Sequence, residues 1–378
     1  MQEAIIIKNF GPVKHIEIED IRPFTVFIGE SGSGKSAIMK VIILFRWIYK
    51  WVNIRSYLKH SNISKSLVEF EFKELLKKNG LLEYLKDNTE IIYKKGSATV
   101  HYKKDKLVTS DLVPKDELSL EKMCFVADRR NIIPDILANK MNLQTDFYLQ
   151  ETLNDILLAL NQIAQPLHIA YLGIKFVVKK EGVIPRYLVE NIGNDEPYSI
   201  NLYNASSGTQ TLIPLSVIVE HFARHYDFNS RFNNIVLDYL SRNDSLKDFR
   251  AVQNIGDIKH RNVHIHIEEP ELSLFPESQR SLINFIVNRC FVENHKDYNM
   301  TVMMATHSPY IINHLNLLIK ARDKNKLVEG AQLNYDDVSV YQVDEGEIFD
   351  LKIANKKLIN TNPLSETIND IYEEYNQL

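Results

Sequence analysis

Gly29, Glu30, Ser31, Gly32, Ser33, Gly34, Lys35 and Ser36 satisfy the spacing G-x-x-x-x-G-K-S, directly after the apolar run "FTVFI" and directly before a helical pattern. Glycines at that spacing let the backbone turn so that successive N–H groups face phosphate oxygens. The start of the following helix adds partial positive charge, and the Lys35 ammonium reaches the β- and γ-phosphates. The Ser36 hydroxyl is placed to hold Mg²⁺. The pattern predicts a bound nucleoside triphosphate, ATP with Mg²⁺.

Such a loop needs a carboxylate on a neighbouring strand for the metal and a group that orients the attacking water. The stretch "VHIHIEEPELSLFP" offers a buried-strand pattern ending in Glu268 and Glu269. Glu268 is expected on the metal side, through water, and Glu269 as the general base. A second apolar strand in "TVMMATHSPYIIN" ends in Thr306, His307 and Ser308. Ligands of open α/β sheets bind at the carboxyl ends of strands, which makes His307 the expected sensor of the γ-phosphate. A further helix start, at Ser206, Ser207 and Gly208 in "NASSGTQTLIPL", is a second place where an anion could sit. Taken alone it reads first as an ordinary Ser N-cap satisfied within its own helix. Beside a P-loop, a second cradle in one subunit is redundant, so it is expected to cap phosphate held by another copy.

The elements that must position these groups follow from hydropathy. Strand-like and helix-like runs alternate at both ends of the chain, which predicts an α/β fold with a mixed sheet built from the two ends. The expected division is one compact unit over 1–378: a nucleotide-binding core from 1–50 and 200–355, a small Lys-rich α+β insertion over 51–125, a helical and strand segment over 126–199, and a helical tail over 356–378. The insertion's Lys73, Lys77, Lys78, Lys94, Lys95, Lys103, Lys104 and Lys106 could face DNA or RNA, but interleaved acids favour an ordinary solvated face. Asp344, Glu345, Glu347 and Asp350 read as turn and surface residues of a hairpin.

Composition narrows the classes. With 378 residues, 44% of them hydrophobic, the chain can bury a sizeable core, and a formal charge of -4 announces no nucleic-acid or membrane partner. Cys124 and Cys290 show no pairing or metal spacing, which suits a reducing cytosol. The opening "MQEAIIIKNF" lacks the features of a signal peptide, and the most apolar helix, "AIMKVIILFRWIYKWV", is interrupted by Lys40, Arg46 and Lys50. A cytoplasmic protein without a membrane span is expected.

Taken together, "IIIKNFGPVK", "GESGSGKS", "NASSGTQ", "IEEPELSLFP" and "ATHSPYII" resemble the ABC-type ATPase heads shared by SMC and RecF proteins, the OLD-family ATPases and PtuA-like ATPases of bacterial anti-phage defence. The resemblance implies a P-loop NTPase fold of the ABC-ATPase head type. It also implies a homodimer or larger assembly with ATP between subunits, a signature at Ser207 and Gly208 acting in trans, a D-loop at Ser273, and a switch histidine at His307. It further implies a separate effector, a nuclease or toxin. The alternative is a DNA-repair head that clamps duplex; a transporter motor fits less well, since such proteins carry L-S-G-G-Q where this chain has S-S-G-T-Q. The chain departs from the pattern with Ser31 where SMC-like heads usually have Asn, and Glu268 where many relatives have Asp. No Q-loop glutamine stands out; "FVADRRN" resembles an OLD-like segment, and points to Arg129 as nucleotide-proximal. The interval between Lys35 and Ser207 is too short for the long coiled coil of an SMC arm.

Overall fold

In the computed structural model, which describes residues 1–63, 70–141, 145–163, 166–180, 185–193, 198–242, 249, 251–253, 257–293 and 297–378, two sheets sandwich one long helix. The chain opens with β1 (Glu3–Phe10), β2 (Val13–Ile18), β3 (Phe24–Ile28) and α1 (Lys35–His60), followed by α2 (Phe72–Lys78), β4 (Glu90–Lys95), β5 (Ala98–Lys103), β6 (Lys106–Thr109) and β7 (Ser119–Val126). Then come α3 (Ile133–Leu137), α4 (Phe147–Leu160), β8 (Leu167–Ile169), β9 (Ile174–Lys179), β10 (Arg186–Asn191), β11 (Ser199–Asn201), α5 (Ser207–Arg224) and α6 (Phe228–Arg242). The last third holds β12 (His260–Glu268), α7 (Pro276–Val287), β13 (Asn299–Thr306), α8 (Pro309–Asp323), β14 (Val338–Asp344), β15 (Glu347–Asp350) and α9 (Glu366–Gln377).

The central sheet runs β15-β14-β3-β13-β12-β7. Every pairing in it is parallel except the β14–β15 hairpin. Parallel strands covered on both faces are apolar at consecutive positions rather than alternating, and all five residues of β3 are buried. A second, antiparallel sheet runs β2-β1-β4-β5-β6, and a third, β11-β10-β9-β8, lies ahead of α5.

Three features differ from the expectation. β4 to β6 do not stand apart as an insertion: β4 pairs along β1 from Glu3↔Lys95 to Lys8↔Glu90, which sets Ile91 and Tyr93 beside Ile5 and Ile7 in the core. β7 is an edge strand of the central sheet rather than part of that insertion. Lys95, counted among the solvated lysines, is buried and holds Glu121 at 2.8 Å. Part of the run "LVEFEF" lies outside the described residues, and its last residue, Phe72, opens α2.

α1 is buried over most of its length because it contacts β5 on one side and β7, β12 and β13 on the other. Its Arg46 therefore needs internal partners. Arg46 Nε and Nη2 donate to Glu3 at 2.7 and 3.1 Å, and Nη1 lies 3.0 Å from His266 Nε2. A guanidinium only donates, so Nε2 of His266 accepts and Nδ1 carries the proton toward the Cys124 carbonyl, 3.2 Å away. Next to it His264 contacts Glu121 at 2.6 Å and Thr301 at 2.7 Å. Burial raises the Glu3 carboxyl, but Arg46 and Lys95 outweigh it and leave it at about 2. Burial and the Arg46 charge take His264 down to about 4. This polar layer joins the antiparallel sheet to the central one.

Candidate nucleotide site

The P-loop turns between β3 and α1 through conformations that only glycine tolerates. A Cβ on Gly29 would fall 2.3 Å from the Val343 carbonyl oxygen; Gly32 has φ +80 and Gly34, the N-cap of α1, φ +113. Lys35 is folded back on the loop, donating to the carbonyls of Gly29 at 2.9 Å and Glu30 at 2.6 Å. Burial lowers its ammonium, and Glu271, Glu269 and Glu30 counter that. An open pocket of 220 Å³ lies over the loop, lined by Ser31, Gly32, Gly34, Lys35, Ser36, Glu269 and His307 together with Pro12 and Tyr84.

Glu268 ends β12 inside the protein. Burial raises its carboxyl, and Lys40 and a hydrogen bond from Ser36 pull it back. Lys40, one turn after Ser36 on α1, lies 3.1 Å from it. A hydroxyl and a carboxylate are oxygen donors of the kind Mg²⁺ takes, and a cation already stands beside the carboxylate, so the pair fits that ion.

Glu269 leaves the strand in the left-handed region, φ 43, with its N–H donating to the Ala305 carbonyl at 2.8 Å. For a non-glycine residue this conformation costs about 1–3 kcal/mol, and it persists because the backbone is held from behind. Arg130, fully buried, donates to the carbonyls of Glu268 at 2.8 Å and Glu269 at 2.7 Å. The kink brings the Glu269 carboxylate to 4.0 Å from His307 Nε2. His307 is held in turn by Glu271, whose carboxylate accepts from the His307 N–H at 2.6 Å and the Thr306 hydroxyl at 2.8 Å.

The structure thus brings Lys35, Ser36, Glu268, Glu269 and His307 to one end of the central sheet. It does not bring Ser206, Ser207 and Gly208 there. They sit at the start of α5, with Ser206 and Ser207 exposed and outside the lining of the P-loop pocket. Ser206 Oγ accepts from the Thr209 N–H at 3.3 Å, so the ordinary N-cap is present. The start of α5 packs on the turn after β12: a Cβ on Gly208 would lie 3.0 Å from the Ser273 carbonyl, and the Thr211 hydroxyl donates to Leu272 O at 3.2 Å.

Sequence reasoning chose Arg129 in "FVADRRN", but Arg129 is largely exposed and pairs at 3.5 Å with Asp146; its neighbour Arg130 reaches the site. Lys40, Glu271 and Tyr84 were also missed. The spacing of Ser36 and Lys40, four residues apart on a helix, puts both on one face and could have flagged Lys40. Tyr84 carries no pattern; it reaches the pocket because Gly11 packs against it, N–H to Tyr84 O at 2.7 Å, with no room for a side chain.

A family model described as an AAA ATPase domain matches residues 1–47 and 46–312. No curated protein matches. Among solved structures, an SMC head bound to the C-winged helix domain of ScpA aligns over 93% of this chain and 98% of its own at 11% identity and a TM-score of 0.38. The SMC head domain from Thermotoga maritima aligns over 93% and 100% at 12% identity and 0.37. The recombination mediator protein RecF aligns over 93% and 98% at 8% identity and 0.37.

Proposed function

Because the chain belongs to the AAA ATPase domain family, we propose that it binds ATP over the Gly29–Ser36 loop and hydrolyses it between two copies of itself. The observation that carries this reading is the meeting of Glu269 and His307, 4.0 Å apart, at the mouth of the P-loop pocket. Lys35 leaves the loop carbonyls for the β- and γ-phosphates, and the loop N–H groups bind the remaining oxygens. A Mg²⁺ ion held by Ser36 and, through water, by Glu268 would neutralise charge on the phosphates. Glu269 accepts a proton from the attacking water. His307, fixed by Glu271, contacts the γ-phosphate and so distinguishes ATP from ADP.

Exposure of Ser206 and Ser207 supports their acting in trans: the helix start of one copy closes on the γ-phosphate held by the other. Phe275, 77% exposed immediately after the Ser273 turn, supplies apolar area next to that contact. The ATP-closed dimer then acts as a switch on a separate effector, a nuclease or toxin, in the manner of the defence ATPases it resembles. The hairpin acids support a separate effector: Asp344 and Glu347 face each other across β14–β15, and Glu345 pairs with Lys14 at 3.4 Å. ATPase assays test the reading. Turnover that vanishes in Glu269→Gln while ATP binding persists is expected; turnover surviving in both Glu269→Gln and Lys35→Ala overturns it.

A further inference from the structure

Behind the nucleotide site, α1, α2, β7 and the start of α4 enclose a second pocket of 350 Å³. Its walls are apolar and aromatic: Leu44, Trp47, Phe125, Phe147 and Tyr148. Lys50, Lys78 and Lys122 bring three positive charges to it against the one acid, Glu151. Lys122 is already neutralised by Asp155 at 2.6 Å, which leaves one positive charge unbalanced. Lys50, partly exposed, makes no hydrogen bond or ion pair among the described residues; burial and then Lys122 lower its ammonium to about 8, with Glu121, Asp155 and Glu151 acting against them. The Tyr148 hydroxyl is also buried without a hydrogen-bond partner among the described residues. A buried hydroxyl without a partner is costly unless a ligand meets it, and Lys50 brings to the same lining a partly exposed cation with no fixed partner.

We propose that this pocket binds a small organic monoanion whose anionic group meets Lys50 and whose ring-sized apolar body lies among Trp47, Phe125 and Phe147. The volume is in the range of small-molecule sites, and the single unbalanced charge selects a carboxylate or sulfonate over a polyphosphate. Helix α1 lines both pockets, the P-loop pocket with Lys35 and Ser36 and this one with Leu44, Trp47 and Lys50. The Lys40 ammonium lies 4.9 Å from the Tyr148 ring centroid and 3.1 Å from Glu268, so a ligand that moves Tyr148 shifts the cation beside the metal-side carboxylate. This coupling, unlike the binding itself, rests on the ATPase reading.

The probe is 8-anilinonaphthalene-1-sulfonate, an aromatic sulfonate that fluoresces in apolar surroundings. Both tryptophans of the chain serve as donors for it: Trp47 lines the pocket and Trp51 lies 5.9 Å from it, ring to ring. Saturable binding of one probe per chain is expected, with probe emission excited through tryptophan and displaced by 1-naphthoate. Lys50→Glu should weaken it at least about tenfold, and Phe147→Ala, at a half-exposed wall position, should weaken it while leaving the fold intact by thermal melting. Lys35→Ala should bind the probe as wild type does. Unsaturable emission, equal affinity in Lys50→Glu, or loss of probe binding in Lys35→Ala overturns the site. Saturating probe should change ATP affinity, and ATP the probe's affinity, by the same factor; unchanged ATP affinity overturns the coupling. Absence of ATP binding with probe binding intact would count against the ATPase reading and leave the pocket standing.

Discussion

At the residue scale, three side chains carry separate predictions. Lys35→Ala removes the cation that leaves the loop carbonyls for phosphate, and calorimetry should show ATP affinity reduced by about 100-fold. Arg130 acts through the backbone. Arg130→Met would take a donor from the carbonyls of Glu268 and Glu269, of which the latter keeps the Leu272 N–H at 3.0 Å; a buried group left unsatisfied costs about 1–3 kcal/mol. Thermal unfolding should therefore shift downward and turnover fall together. Glu271→Gln keeps the size of the side chain but turns one of two acceptors into a donor facing the His307 N–H. We expect kcat to fall about 10- to 100-fold with KM little changed, since the group mispositioned contacts the reacting phosphate and not the bound base. The loop, Glu268, Glu269 and His307 were legible because strand, glycines and acids recur at fixed spacing. Arg130 was not: its function depends on burial against two carbonyls 138 and 139 residues away in sequence, and no local pattern separates it from Arg129.

At the element scale, α1 shows what hydropathy can and cannot reveal. Its three interrupting cations argued against a membrane span, and among the described residues no helix is long and apolar enough to cross one. The same three residues prove to have separate partners: Lys40 meets Glu268, Arg46 meets Glu3, and Lys50 lines the second pocket. Four strands of the central sheet, β3, β12, β13 and β14, were readable as strands from their apolar residues. The placement of β4 to β7 was not, because alternation predicts a strand but says nothing of which neighbour it pairs with. The buried layer around Arg46 gives a pH prediction. His264 is lowered to about 4, so the unfolded chain binds its proton first, and stability present above pH ~6.5 is lost as pH falls toward 4. Glu3, held at about 2, adds a contribution that is present above pH ~4.5 and lost as pH falls toward 2. Melting temperature should thus decline from pH 7 to 5 and more steeply below pH 4.5. Glu3→Gln, destabilised at neutral pH, should show a shallower decline below pH 4.5; the same slope in both proteins would contradict this assignment.

At the scale of the whole molecule, the account turns on the distance between two halves of one chemistry. Glu269 and His307 line the P-loop pocket, while Ser206 and Ser207 are exposed on another element outside it. A monomer with that layout holds nucleotide on one side only. Two copies related by a two-fold axis would each complete the other's site, and blocking hydrolysis should hold them together. Light scattering on Glu269→Gln, with and without ATP and Mg²⁺, tests this most directly. The account predicts that ATP doubles the mass of Glu269→Gln, that Ser207→Arg in the same background stays at monomer mass, and that Lys35→Ala does not respond to ATP. A mass for Glu269→Gln that is the same with and without ATP, while calorimetry shows the nucleotide bound, would contradict it.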